Sequence, residues 1–133
     1  MKGPNKPADF WGEPIHVYTR ADALADGVLV DATVAAREAG FLIPVALTQG
    51  VWADVNDFSG RDVLAGQSSE GRLWDLLFMA AHAAMRPENR GTNEFVYSLV
   101  MPVGTDNNYR VKCHLGPGDK GEAVVTILRP DET

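Results

Sequence analysis

Tyr109-Arg110-Val111-Lys112-Cys113-His114-Leu115 alternates apolar and polar side chains, turns through Gly116-Pro117-Gly118-Asp119-Lys120-Gly121, and resumes as an apolar run from Ala123 to Leu128. Successive side chains of a strand point to opposite faces, so alternation marks a half-buried strand. The Gly/Pro/Asp cluster supplies the backbone angles of a reversal. The stretch therefore reads as a β-hairpin. Upstream, Phe95-Val96-Tyr97-Ser98-Leu99-Val100-Met101 reads as a further strand, and the link over 102–108 is too short for a crossover helix. Three successive strands should then pair antiparallel, as a meander at the end of the chain.

Working back from the meander, Glu70 to Met85 carries the strongest helical period. Leu73, Leu77, Ala80, Ala81 and Ala84 form one stripe, Trp74, Phe78 and Met85 widen it, and Asp75, Met79, His82 and Arg86 share the remaining face. This predicts a helix wrapped by core on most of its circumference. The expected core is Leu73, Trp74, Leu77, Phe78 and Ala81 with Val111, Cys113, Leu115, Val125 and Ile127.

The first half is broken into short pieces. Thr19 and Asp22 are spaced to start a helix that Gly27 stops, Asp31 caps a second helix over Ala32 to Ala39, and Gly40 ends it. Phe41 to Leu47 contains Pro44, which predicts a buried connection rather than a central strand. Thr48 caps a third short helix around Val51 to Val55, and Asn56 to Ser69 reads as a long surface loop. Residues 1–14, with Gly3, Pro4, Pro7, Gly12 and Pro14, predict a flexible lead in which Phe10 and Trp11 could anchor, followed by a short strand over Ile15 to Tyr18. The expected organisation is that lead plus a single domain over 15–133. Its class is α+β: short helices and one long buried helix on a mainly antiparallel sheet.

With 133 residues, 45% of them hydrophobic, the chain is the size of one domain with a real core. A net charge of −6 argues against direct grip on nucleic acid or an anionic membrane surface. Between 20 and 62, Arg20, Arg37 and Arg61 stand against Asp22, Asp26, Asp31, Glu38, Asp54, Asp57 and Asp62. That imbalance makes a host protein with a basic surface the expected partner. Asp22 and Asp26, one helical turn apart, and Asp54 and Asp57, at the end of a short helix, are the candidate partner-binding residues. Cys113 is the only cysteine, which excludes an intrachain disulfide and points to a reducing, cytoplasmic setting. No apolar run approaches the roughly 18 residues of a membrane span.

Catalytic signals are sparse. His16, His82 and His114 lie far apart and none has a second ligand at metal-binding spacing, so no metal and no cofactor is expected. Cys113 shares its strand face with Tyr109, Val111 and Leu115, turned away from His114, and reads as a core residue. The Gly116 to Gly121 segment joins two strands and ends in Gly-Glu, so it is a turn and not a phosphate-binding loop. No residue is marked as catalytic.

Two resemblances qualify this reading. The strand with His16, Tyr18 and Thr19, followed by a helix ending Ala25-Asp26-Gly27, resembles the opening of small ADP-ribosyltransferase-like domains. It implies an alternative transferase using His16 and Tyr18, with Glu94 or Glu122 as the later glutamate. A wider resemblance rests on ordered blocks: Tyr18-Thr19-Arg20-Ala21-Asp22 through Asp31, Ala36-Arg37-Glu38-Ala39-Gly40-Phe41, Pro44-Val45-Ala46-Leu47-Thr48, Gly71-Arg72-Leu73-Trp74-Asp75 and Gly116-Pro117-Gly118-Asp119. Together they resemble a domain-of-unknown-function family of small acidic bacterial proteins of plasmids, phages and integrated elements. That resemblance implies no established activity but a setting, mobile elements, which often encode small acidic proteins that block restriction or CRISPR machinery. With the acidic first half it points to a non-enzymatic binding module, as an inhibitor of a host CRISPR or restriction complex or an adaptor with no defence target.

Overall fold

The computed structural model describes residues 17–60, 63 and 66–133, among which four α-helices and five strands build the domain. In chain order these are α1 (Arg20–Asp26), β1 (Leu29–Asp31), α2 (Thr33–Ala39), β2 (Val45–Thr48) and α3 (Gln49–Val55). Then follow α4 (Ser69–Ala84), a 3-10 turn at Pro87–Asn89, β3 (Glu94–Val103), β4 (Asp106–Pro117) and β5 (Ala123–Leu128). The sheet order is β1-β2-β5-β4-β3, with every neighbouring pair antiparallel except β2 and β5. The α+β class and the terminal meander are as the sequence predicts. The flexible lead and the first half of the Ile15 to Tyr18 strand lie outside the described residues, and Val17 and Tyr18 are not in a strand.

Local chemistry explains the short helices. Thr19 and Asp22 make a capping box at α1, each side chain satisfying the other's backbone amide. Asp31 accepts from the amide and hydroxyl of Thr33 at the start of α2, at 3.0 and 2.6 Å. Thr48 accepts from the Val51 amide at α3. Gly27 and Gly40 close α1 and α2 with left-handed backbone, where a glycine has no steric cost.

The Pro44 expectation needs correction. Val45–Thr48 is a central strand, flanked by β1 and β5. Pro44 stands one residue outside it, and its carbonyl accepts from the Val125 amide, so the missing N–H costs the ladder nothing.

The register fixes the two faces. Tyr97, Leu99, Met101, Val111, Cys113, Val125, Ile127, Val45 and Leu47 are buried on one face beneath α2, α3 and α4. From α4 the buried row is Arg72, Leu76, Ala80 and Ala83 with Leu77, so the core axis lies about one residue round from the predicted stripe. Trp74, 40% exposed, and Leu115, 39% exposed, are therefore not core residues as the sequence predicts. The helix axis rotates because Arg72, and not Trp74, is drawn inward.

On the opposite face α1 packs near the hairpin end. The Asp119 carboxylate accepts from the amides of Arg20 and Ala21 at 2.8 and 2.9 Å, fastening α1 to the β4–β5 turn. Arg20 reaches across the sheet to the Thr126 hydroxyl and the Val125 carbonyl, at 2.7 and 2.9 Å.

Candidate binding surface

The two ends of α4 carry the chemistry. At the N-terminal end Arg72 is 4% exposed and, among the described residues, forms no ion pair with a carboxylate. Its guanidinium donates to Gln67 Oε1 and to the carbonyls of Asp54, Asp57 and Pro102, and it stacks 4.3 Å above the Phe58 ring. Burial lowers its pKa from the ordinary arginine value, with the Asp57 carboxylate opposing the shift. A planar five-donor head suits this task, because it gathers carbonyls from the end of α3, the loop after it and β3 at once.

Next to it, Asp54 is 9% exposed, accepting from the Tyr109 hydroxyl at 2.6 Å and from Arg129 through both oxygens at 2.9 and 2.8 Å. Burial first, then the Asp54 hydrogen bond, raises the Tyr109 phenol well above its ordinary value. The same carboxylate raises Arg129. This corrects the placement of Asp54 among exposed partner-binding carboxylates: position 54 lies on the inner side of α3, where the meander and the C-terminal segment consume its charge. Asp57 is half-buried and accepts from the Ser59 hydroxyl and amide at 2.6 and 3.0 Å, bonds that lower its pKa.

Asp22 and Asp26 sit on α1 instead. Asp22 serves the capping box, and Asp26 accepts from the Tyr18 hydroxyl at 2.9 Å, which raises the Tyr18 pKa. The four candidate aspartates thus fall into two separate hydrogen-bonded groups. His16 lies outside the described residues. Tyr18 is engaged with Asp26, while Glu94 lies beside His114 at 3.3 Å and Lys112 at 3.6 Å, so these contacts do not bring the two transferase candidates together. Glu122 accepts from the Lys120 amide in the hairpin turn. Among the described residues no three His, Cys, Asp or Glu side chains are placed to hold a metal ion.

At the C-terminal end α4 leaves an open apolar groove of about 610 Å³. Phe41, Leu42 and Ile43 form one wall, Ala81, Ala84 and Met85 another, and Phe95, Cys113, Leu115 and Val125 the floor. Burial pushes the Cys113 thiol up to about 12, so it is an apolar wall and not a nucleophile at neutral pH. The rim is bare, with Leu42 96% and Met85 68% exposed. His82 lines the groove and continues it outward: Trp74 stacks on Phe78 at 4.6 Å between ring centroids, and Phe78 meets His82 at 4.3 Å. Sequence reasoning missed this strip. The signal was present in the i, i+4, i+8 spacing of Trp74, Phe78 and His82, a row offset from Leu73 and Leu77.

A family model described as a family of unknown function, DUF6573, matches residues 10–133, and the chain belongs to that family. Neither a curated protein nor a solved structure matches the chain. No helix among the described residues is long and apolar enough to cross a membrane.

Proposed function

We propose that this member of a family without assigned activity is a non-enzymatic protein-binding module of a mobile element, acting as an inhibitor of a host restriction or CRISPR complex. The observation that supports a binding role is the contiguous apolar strip from Trp74 to the groove at Leu42 and Met85. Apolar side chains in a continuous exposed patch raise the cost of hydration, and a macromolecular cover removes it. A small molecule inside the groove would leave the rim residues in water.

The charge of −6 favours a partner with a basic surface and accelerates its encounter. Asp26 on α1, exposed beside the Tyr18 hydroxyl, carries charge for that steering, whereas the Asp54 charge is spent inside the fold. The test is phage plating on a host with an active restriction or CRISPR system. Expression of the chain should restore plating of a targeted phage by at least about tenfold, and charge reversal at Asp26 should weaken the effect more at low salt than at high salt. Unchanged plating across both kinds of defence system would remove the inhibitor form of the proposal.

A further inference from the structure

The geometry points to an amphipathic helix of the partner, with Lys or Arg at one end of its apolar face, as the occupant of the α4 strip and groove. This rests on the reading of the chain as a binding module and adds which surface binds and what fits it. Trp74 to Met85 spans three helical turns, about 16 Å along the axis. Its aromatic and apolar side chains recur at steps of four, four and three: Trp74, Phe78, the His82 ring and Met85. That is the spacing at which a second helix offers anchors, and the groove at the end of the row accepts one large apolar side chain.

Charge sets the chemistry of the incoming helix. Glu70, one turn before Trp74, and Asp75, three residues before Phe78, are both exposed and flank the aromatic rings on either side. Arg72 between them is buried and its donors are taken, so it does not neutralise this surface. The groove end is net positive: Arg86, Glu88 and Arg90 are exposed beyond Met85, two cations against one carboxylate, and among the described residues neither Asp nor Glu lines the groove. A helix with its cations over Glu70 and Asp75, its apolar anchors on Phe78 and in the groove, and its carboxylates towards Arg86 complements all three parts.

The experiment titrates the full chain with three model peptides of about five helical turns. One has a leucine face and lysine flanks, one replaces lysine by glutamate, and one keeps the lysines but replaces leucine by serine. The leucine–lysine peptide should bind saturably with one-to-one stoichiometry and quench tryptophan fluorescence, and the other two should bind at least about tenfold more weakly. Trp74→Gln with Met85→Gln should lower its affinity at least about tenfold without moving the melting temperature. Leu42→Gln alone should lower it measurably.

Equal binding of the serine–lysine peptide, or affinity untouched by the paired substitution, overturns the assignment, as does failure of all three peptides to bind. Concentration-dependent dimerisation abolished by the same substitutions would assign the strip to a second copy of the chain instead. Plating separates this outcome from the broader proposal. A paired variant that loses peptide binding but keeps plating removes this surface and leaves the binding module, whereas peptide binding without any plating effect removes only the inhibitor.

Discussion

At its N-terminal end α4 delivers Arg72 into a knot of carbonyls beside the Asp54–Tyr109–Arg129 cluster, while at its C-terminal end it leaves Met85 in water beside an apolar groove. The first end spends charged groups on holding segments together. The second leaves apolar groups without partners. Buried polar groups are costly unless satisfied, and among the described residues no buried side-chain nitrogen or oxygen lacks a partner. One end uses its charged groups to hold segments together, and the other keeps apolar side chains in water.

The largest effect should come from breaking the closed end. Arg72→Met removes the guanidinium's hydrogen bonds to the carbonyls of Asp54, Asp57 and Pro102, and should cost about 3 to 5 kcal/mol in denaturant unfolding. A change under about 1 kcal/mol would mean that water replaces the guanidinium freely, and the contrast between the ends would dissolve.

Leu77→Ala, in the core beneath the same helix, should cost roughly 2 to 5 kcal/mol through lost transfer energy and a cavity. Asp54→Asn and Arg129→Met should each cost about 2 kcal/mol, and the double variant less than the sum, because both disturb one network. Additivity within about 0.5 kcal/mol would show that the ion pair contributes little beyond its separate contacts.

Alkaline pH gives a smaller and graded effect. The unfolded Cys113 thiol ionises near 9.0 and the folded one at about 12, so the folded state binds more protons between these values. Stability is intact below the unfolded value and falls as pH rises through that window. Tyr109 and Tyr97 act in the same direction from 10.0 upward, because burial raises both phenols. Each group contributes a slope of about 1.4 kcal/mol per pH unit at most. Chemical denaturation at steps from pH 8 to 11 should show a falling midpoint, and Cys113→Ala should delay its onset. A flat profile would mean that these groups are solvated.

The smallest effect belongs to the open end. Met85→Gln and Leu42→Gln should change stability by no more than about 0.5 kcal/mol, since both side chains are already in water. A loss well above that would show that the groove closes in solution.

Hairpin, long helix and capped short helices were all legible, because they depend on spacing and on neighbours within four residues. Alternation around Val111 and Cys113 placed two core residues correctly. The same alternation failed at Leu115, where the sheet runs beyond the helices that cover it. Gly50 shows the opposite limit. It weakens the case for a helix by propensity, yet position 50 lies inside α3, where a Cβ would lie 2.8 Å from Glu132 Oε2 and 3.0 Å from Arg129 Cζ, so a larger residue would make those side-chain ends shift. The candidate binding surface was less legible. Periodicity reports that Trp74 and Leu73 lie on an apolar arc, but not which part of the arc meets the sheet.

The sequence by itself determined the α+β class, the meander, the hydroxyl caps of α1 and α3 and the glycine stops of α1 and α2, since a strand's period, a turn's glycines and a cap's hydroxyl act locally; α2 starts on Ala32 without the expected Asp31 cap. Only the tertiary structure decided that β2 sits between β1 and β5, that Asp54 is spent on Tyr109 and Arg129, and that α4 turns Arg72 inward and Trp74 outward. Each of those outcomes depends on partners far along the chain, such as Asp54 for Arg72, 18 residues away, and Val125 for Val45 across the β2–β5 pair. Side-chain type alone does not distinguish a carboxylate that meets an arginine from one that meets water. The surrounding fold decides, because burial makes an unpaired charge too costly and exposure makes a paired one nearly neutral.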